Sequence, residues 1–98
     1  MKKAVLHCEA NVELTTAAKR YQCESPELAR DFLRAFRNAK DAIEQQPDRF
    51  SFMEKPIRRA RLTGFPYRII FEELDDCIHV LAVTHESRDP DYWKSRLS

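Results

Sequence analysis

The chain has 98 residues, with 17 Lys and Arg against 16 Asp and Glu, for a net charge of +1. That length predicts one domain over 1–98, large enough to bury roughly two-thirds of its unfolded surface without staples. The near balance of charge excludes a globally basic nucleic-acid binder, so any contact with a polyanion has to come from a local patch.

Hydrophobic residues make up 43% of the chain and charged residues 34%, which is the composition of a water-soluble globular domain and not of a disordered tail. No apolar run suits a signal peptide or a membrane span, so a cytoplasmic protein without membrane contact is expected. Cys8, Cys23 and Cys77 are odd in number and scattered, with no CxxC or Cys/His spacing. They read as buried free thiols in a reducing compartment, and neither a metal nor another cofactor is expected.

Ala4-Val5-Leu6-His7-Cys8 reads as a short first strand, with His7 a surface or strand residue and its place at a sheet edge. Glu9 to Glu24 then carries Ala10, Leu14, Ala17, Ala18 and Tyr21 at helical spacing. The stripe is mostly alanine, which allows close approach to a partner. Ser25-Pro26-Glu27 restarts a helix: Ser25 caps, Pro26 has the φ wanted at the first position, and Glu27 suits the dipole. Leu28, Phe32, Phe36, Ala39 and Ile43 step by three or four to about Gln46, the clearest periodicity in the chain. The short link predicts an antiparallel helical hairpin. Arg30, Arg34, Arg37 and Lys40 fall on its other side, a solvated face or a partner surface.

Pro47 ends the second helix. Asp48 to Met53 reads as irregular, with Phe50, Phe52 and Met53 tucked under the sheet or lining a partner groove. Ile57–Leu62 and Phe65–Glu72 read as strands joined by a hairpin turn at Thr63-Gly64, the only glycine in the chain. Alternation puts Tyr67, Ile69 and Phe71 on one face and Arg68 and Ile70 on the other. Ile78 to Val83 is apolar at both parities, as in a central strand covered on both faces. Asp89-Pro90-Asp91 then has the pattern of an N-cap and first turn opening a short last helix with Tyr92, Trp93 and Leu97. The predicted architecture is α+β: an N-terminal strand and an antiparallel helical hairpin packed on a mostly antiparallel sheet (β-α-α-β-β-β), with a short C-terminal helix.

Local charge says more than the total. Lys55, Arg58, Arg59, Arg61 and Arg68 stand against one acid between Glu54 and Arg68. Arg59 and Arg61 share a strand face. Arg68 points away from the apolar face, onto an open side of the sheet that Arg88 and His85 can also reach. Such a group suits phosphates, because guanidinium forks match phosphate oxygens. The bland alternative is a solvated face paired with Glu72, Glu73 and Glu86. His85, Arg88 and Tyr92 lie within eight residues at the end of one strand. RNA cleavage by its own 2′-hydroxyl needs a proton acceptor, a proton donor and cations, roles that His, Tyr and Arg fill without metal.

Three stretches, Ile57-Arg58-Arg59, Phe65-Pro66-Tyr67-Arg68-Ile69-Ile70-Phe71 and Val80 through Trp93, carry a resemblance that extends over essentially the whole chain. It is to the RelE/ParE superfamily of bacterial type II toxins. The resemblance implies a small cytosolic toxin encoded beside a cognate antitoxin that wraps and blocks it. RelE-like members cleave mRNA on the ribosome; ParE-like members poison DNA gyrase and are not nucleases. Under the first reading, slightly favoured by the Arg/His/Tyr group, the resemblance implies Arg68, His85, Arg88 and Tyr92 as catalytic residues. Lys55, Arg58, Arg59 and Arg61 are then the target- or RNA-binding residues, with Arg58, Arg59 and Arg61 replacing the lysines expected on the second strand. Under the second, the same basic face only docks. The alanine-rich helix and the Phe50/Phe52/Met53 stretch leave apolar surface for an antitoxin helix or an added strand.

Overall fold

The structure is a computed structural model that describes residues 1–97. The chain forms β1 (Ala4–Leu6), α1 (Cys8–Glu24), α2 (Pro26–Gln45), a 3₁₀ turn at Pro47–Arg49, β2 (Phe52–Glu54), β3 (Ile57–Arg61), β4 (Tyr67–Glu73), β5 (Ile78–His85) and a last 3₁₀ turn at Lys94–Arg96. The five strands lie in the order β1-β5-β4-β3-β2. All neighbours are antiparallel except β1 and β5. This is the α+β fold that the sequence implies, with β1 at one edge and the helical hairpin over one face.

Ser25 works at both ends of the hairpin link. Its backbone N–H donates to Tyr21 O at 3.0 Å and closes α1, while its hydroxyl oxygen accepts from Leu28 N–H at 3.4 Å and opens α2. His7 caps α1 by accepting the Glu9 N–H at Nδ1, 3.1 Å away, so its role is that of an N-cap and not of a strand residue. Ala10 and Ala17 are buried and let α1 lie close to β5. Phe32, Phe36 and Ile43 of α2 pack on Tyr67, Ile69 and Phe71 of β4 and on Val80 and Val83 of β5. Full burial of one such side chain stabilises the fold by about 1.5–3 kcal/mol.

The other sheet face is less open than alternation alone implies. Trp93, 1% exposed, covers Ile57, Ile70, Leu81 and Ala82. A bulge makes this seat. Ile70 lies opposite Ala82 and Phe71 opposite Val80, so Leu81 is the extra residue in β5. Both Leu81 and Ala82 join the Trp93 cluster as a result.

Five expectations change in detail. Phe52–Glu54 is a strand and not an irregular stretch, because its backbone finds the outer edge of β3. Phe50 packs on the main core and Met53 on the Trp93 cluster, but Phe52 stays exposed beneath Arg58. The β3–β4 connection is longer than a two-residue hairpin; Gly64 has φ +85° there, and Phe65 turns inward against Tyr21 and Phe32. After β5 there is one 3₁₀ turn instead of an α-helix. The Asp89 carboxylate accepts the Asp91 N–H at 2.9 Å in a local turn, which competes with helical backbone bonding. Finally, Cys8 and Cys23 are exposed and Cys77 is half-buried, so the thiols are free but not core residues.

Candidate functional site

Each edge strand has three residues, and each leaves part of a longer neighbour uncovered. The two uncovered stretches form separate clefts.

The first lies along β3. Ser51 O accepts the Arg59 N–H at 3.1 Å, and past that point β2 no longer covers the edge. A cleft of about 440 Å³ opens there, lined by Arg49, Arg59, Arg61, Arg68 and Glu86 together with Phe50 and Ala60. Arg59 and Arg61 alternate onto the face away from the helices, and Arg61 lies directly opposite Arg68 in the β3–β4 register. Glu86, the one carboxylate in the lining, pairs with Arg61 at 3.3 Å. Among the described residues, Arg49, Arg59 and Arg68 have no carboxylate within ion-pair distance, and the buried Nε of Arg68 has no acceptor. Glu72 and Glu73, which the bland alternative pairs with these arginines, have other partners among the described residues. Glu72 binds His79 at 2.8 Å and Glu73 binds Lys2 at 3.0 Å.

Two of the expected target-binding residues are occupied elsewhere. Arg58 donates to Phe50 O at 2.6 Å and Asp48 O at 3.2 Å and lies over the Phe52 ring at 3.8 Å, so it fastens the turn before β2. Lys55 sits between β2 and β3, near the same ring. Arg49 takes their place in the cleft. Its sequence neighbours, Asp48 and Phe50, gave no sign of this.

The second cleft, of about 470 Å³, lies between α1 and β5 and is lined by residues including Glu13, Arg20, Tyr67, His85, Arg88 and Arg96. β1 covers only Ile78 to Val80. Beyond it the Glu13 carboxylate accepts the Val83 N–H at 3.1 Å, and Arg96 donates to Leu81 O at 3.0 Å. An Arg96–Glu13 pair, 3.0 Å apart, thus takes the hydrogen-bonding places of a strand. Tyr92 donates its hydroxyl to Glu13 at 2.7 Å, and Arg88 reaches the same carboxylate at 3.3 Å. Burial pushes the Tyr92 hydroxyl above its ordinary range; the bond to Glu13 adds to this and Thr84 opposes it. Arg96 is likewise held above its ordinary range: burial lowers it, but the Glu13 carboxylate outweighs that. His85 stands edge-on to Tyr67, with ring centroids 5.2 Å apart. The Ser87 N–H, which can only donate, points at His85 Nδ1 from 3.1 Å, so the proton of neutral His85 is assigned to Nε2.

The structure therefore divides the sequence candidates. Arg59, Arg61 and Arg68 share the β3 cleft; His85 and Arg88 line the other, beside Tyr92; the two clefts share no lining residue. Among the described residues no group of three His, Cys, Asp or Glu side chains is placed to hold a metal ion, and no helix is long and apolar enough to cross a membrane.

A family model for the ParE toxin of the type II toxin-antitoxin system parDE matches residues 5–90. The chain belongs to that family. Among solved structures, a chain of the chromosomal ParDE TA system from P. aeruginosa is similar with a TM-score of 0.75 at 16% identity, over 87% of this chain and 96% of that one. At that identity the likeness is one of fold: strand, helical hairpin and mostly antiparallel sheet. A search of curated proteins finds no match.

Glu13 is the residue that sequence reasoning missed. In the sequence it is simply an acid in the first half of α1, where it suits the helix dipole. Its partners lie 70 to 83 positions away, and no local pattern announces them.

Proposed function

We propose that this ParE-family chain arrests growth by poisoning DNA gyrase through binding, without nuclease activity, in a cytoplasm where a cognate antitoxin encoded nearby restrains it. The observation that carries this choice is the separation of free cations from proton acceptors. Cleavage of RNA by its 2′-hydroxyl needs a base beside the cations that hold the phosphate. The β3 cleft holds guanidinium groups, which do not give up protons in proteins, and a carboxylate already paired with Arg61. His85 opens on the other cleft with Nδ1 engaged, and Tyr92 donates to Glu13. Such a division supports docking better than it supports general acid–base chemistry.

The β3 cleft suits docking to an anionic surface. Like charges directly opposite on neighbouring strands destabilise a sheet, and Arg61 faces Arg68 in that way. An anionic target that neutralises them recovers this cost on binding. Poisoning of gyrase is what placement among ParE-like members implies, whereas ribosome-dependent mRNA cleavage belongs to the RelE-like branch. The test is controlled induction in growing cells. Gyrase poisoning predicts loss of plasmid supercoiling and a DNA-damage response while transcripts stay intact. Cleaved transcripts with normal supercoiling would overturn it, and absence of any arrest would point to an inert stabiliser of the antitoxin.

A further inference from the structure

The segment after β5 crosses the sheet face opposite the helices and is fastened at both sides. In its middle Trp93 sits on Ile57, Ile70, Leu81 and Ala82. On the β2 side Lys94 meets Glu54 at 3.1 Å, with both side chains largely exposed. On the α1 side three side chains of the segment converge on one carboxylate. Glu13 accepts from the Tyr92 hydroxyl at 2.7 Å, from Arg96 at 3.0 and 3.2 Å and from Arg88 at 3.3 Å, and its side chain is 12% exposed. The Tyr92 ring has the Arg88 guanidinium 3.7 Å from its centroid and that of Arg96 at 5.0 Å. Among the described residues, Glu9 is the only other carboxylate at Arg96, 3.5 Å away and 64% exposed.

We propose that Glu13 is the positioning residue for this C-terminal strap, and that growth arrest requires the strap clasped by it. The seat of Trp93 does not hold by itself at low cost, because the buried indole N–H has no acceptor among the described residues. The Lys94–Glu54 pair is exposed and therefore weak. The Glu13 cluster is the partly desolvated fastening of the two, and without its carboxylate two guanidinium groups crowd one aromatic ring. Glu13 itself need not touch the target. It fixes where Arg88 and Tyr92 stand and keeps Trp93 on the sheet. The inference rests on the chain being a growth-arresting toxin, and it is independent of whether gyrase or mRNA is the target.

Trp93 is the only tryptophan, so its emission reports the strap directly. In the purified full chain, Glu13→Gln is expected to red-shift that emission and to raise its quenching by acrylamide. Hydrogen exchange of Tyr92 to Leu97 should rise roughly a hundredfold, as for loss of a buried ion pair, while Ile69 to Ala82 stay protected. Growth arrest on induction should be lost. The Glu9→Gln variant, one turn away on the same helix, should leave all three readouts unchanged. In Glu13→Gln the amide oxygen can still accept the Val83 N–H, so that variant separates the clasp from the support of the β5 edge. An unchanged Trp93 emission overturns the clasp. So does loss of protection throughout the sheet, which would make Glu13 a general structural residue. A released strap with undiminished growth arrest overturns the link to function.

Discussion

The two uncovered edges of the sheet start from the same problem and reach opposite solutions. β1 stops at Leu6 and leaves Leu81 to His85 of β5 bare; the β2 side covers β3 only as far as the Arg59 N–H and leaves the rest of that edge bare. At β5 the chain fills the gap with its own charges, Glu13 and Arg96, which are 12% and 8% exposed. At β3 it leaves arginines facing arginine, with one exposed carboxylate for company. Residue type does not separate the two regions, since both are rich in arginine. What separates them is whether an acid from a distant part of the chain arrives. Where it arrives, the cations become structure. Where it does not, they are available to a partner.

The largest expected effect is on activity at the β3 edge. Reversing Arg59→Glu together with Arg68→Glu should abolish growth arrest. The melting temperature should hold or rise slightly, because relieving a like-charge pair across strands contributes about 0.2–1 kcal/mol. Full arrest by a folded double variant would remove this cleft from the account.

Next comes the plugged edge. Arg96→Ala strips a buried guanidinium from Glu13 and from Leu81 O, and should cost about 3 kcal/mol in denaturant unfolding, as breaking buried pairs does. A cost near zero would mean that the two edges do not differ in the way described. Arg88→Ala sharpens the same contrast. Its guanidinium, 53% exposed, meets the same carboxylate, yet the loss should stay below about 1 kcal/mol.

The smallest effect concerns pH at the far end of β1. Burial raises the Glu44 carboxyl, but the Ala4 N–H at 2.8 Å and Lys40 at 3.2 Å outweigh it and leave the group below its ordinary value. A folded value below the unfolded one stabilises the fold above the unfolded pKa and is lost as pH falls through the folded one. Stability of the wild type should therefore decline more steeply below about pH 4.5 than that of Glu44→Gln. Parallel pH profiles would contradict the assignment.

Much of this fold is legible in the sequence because its signals are local. Ser25 and Pro26 announce the hairpin, the Phe32/Phe36/Ile43 steps announce its buried face, and alternation along β4 separates Tyr67, Ile69 and Phe71 from Arg68. The same alternation places Arg59 and Arg61 together and sends Arg58 to the helix side, where it holds the turn at Asp48–Phe50. What escapes the sequence is set by long-range partners. A three-residue strand such as β2 has too few positions to show a period, and its pairing depends on where β3 lies. The proximity of His85, Arg88 and Tyr92 along the chain suggested one chemical centre with Arg68. In space, Glu13 from α1 draws Arg88 and Tyr92 to the β5 edge, while Arg68 lines the separate cleft at β3.

The most direct measurement uses purified components. The full chain is added to DNA gyrase with relaxed plasmid and, in parallel, to translating ribosomes with a defined mRNA. The account predicts inhibited supercoiling with trapped DNA breaks, an intact message, and no inhibition by the Arg59→Glu/Arg68→Glu variant. Message cleaved on the ribosome while gyrase runs unhindered would contradict it.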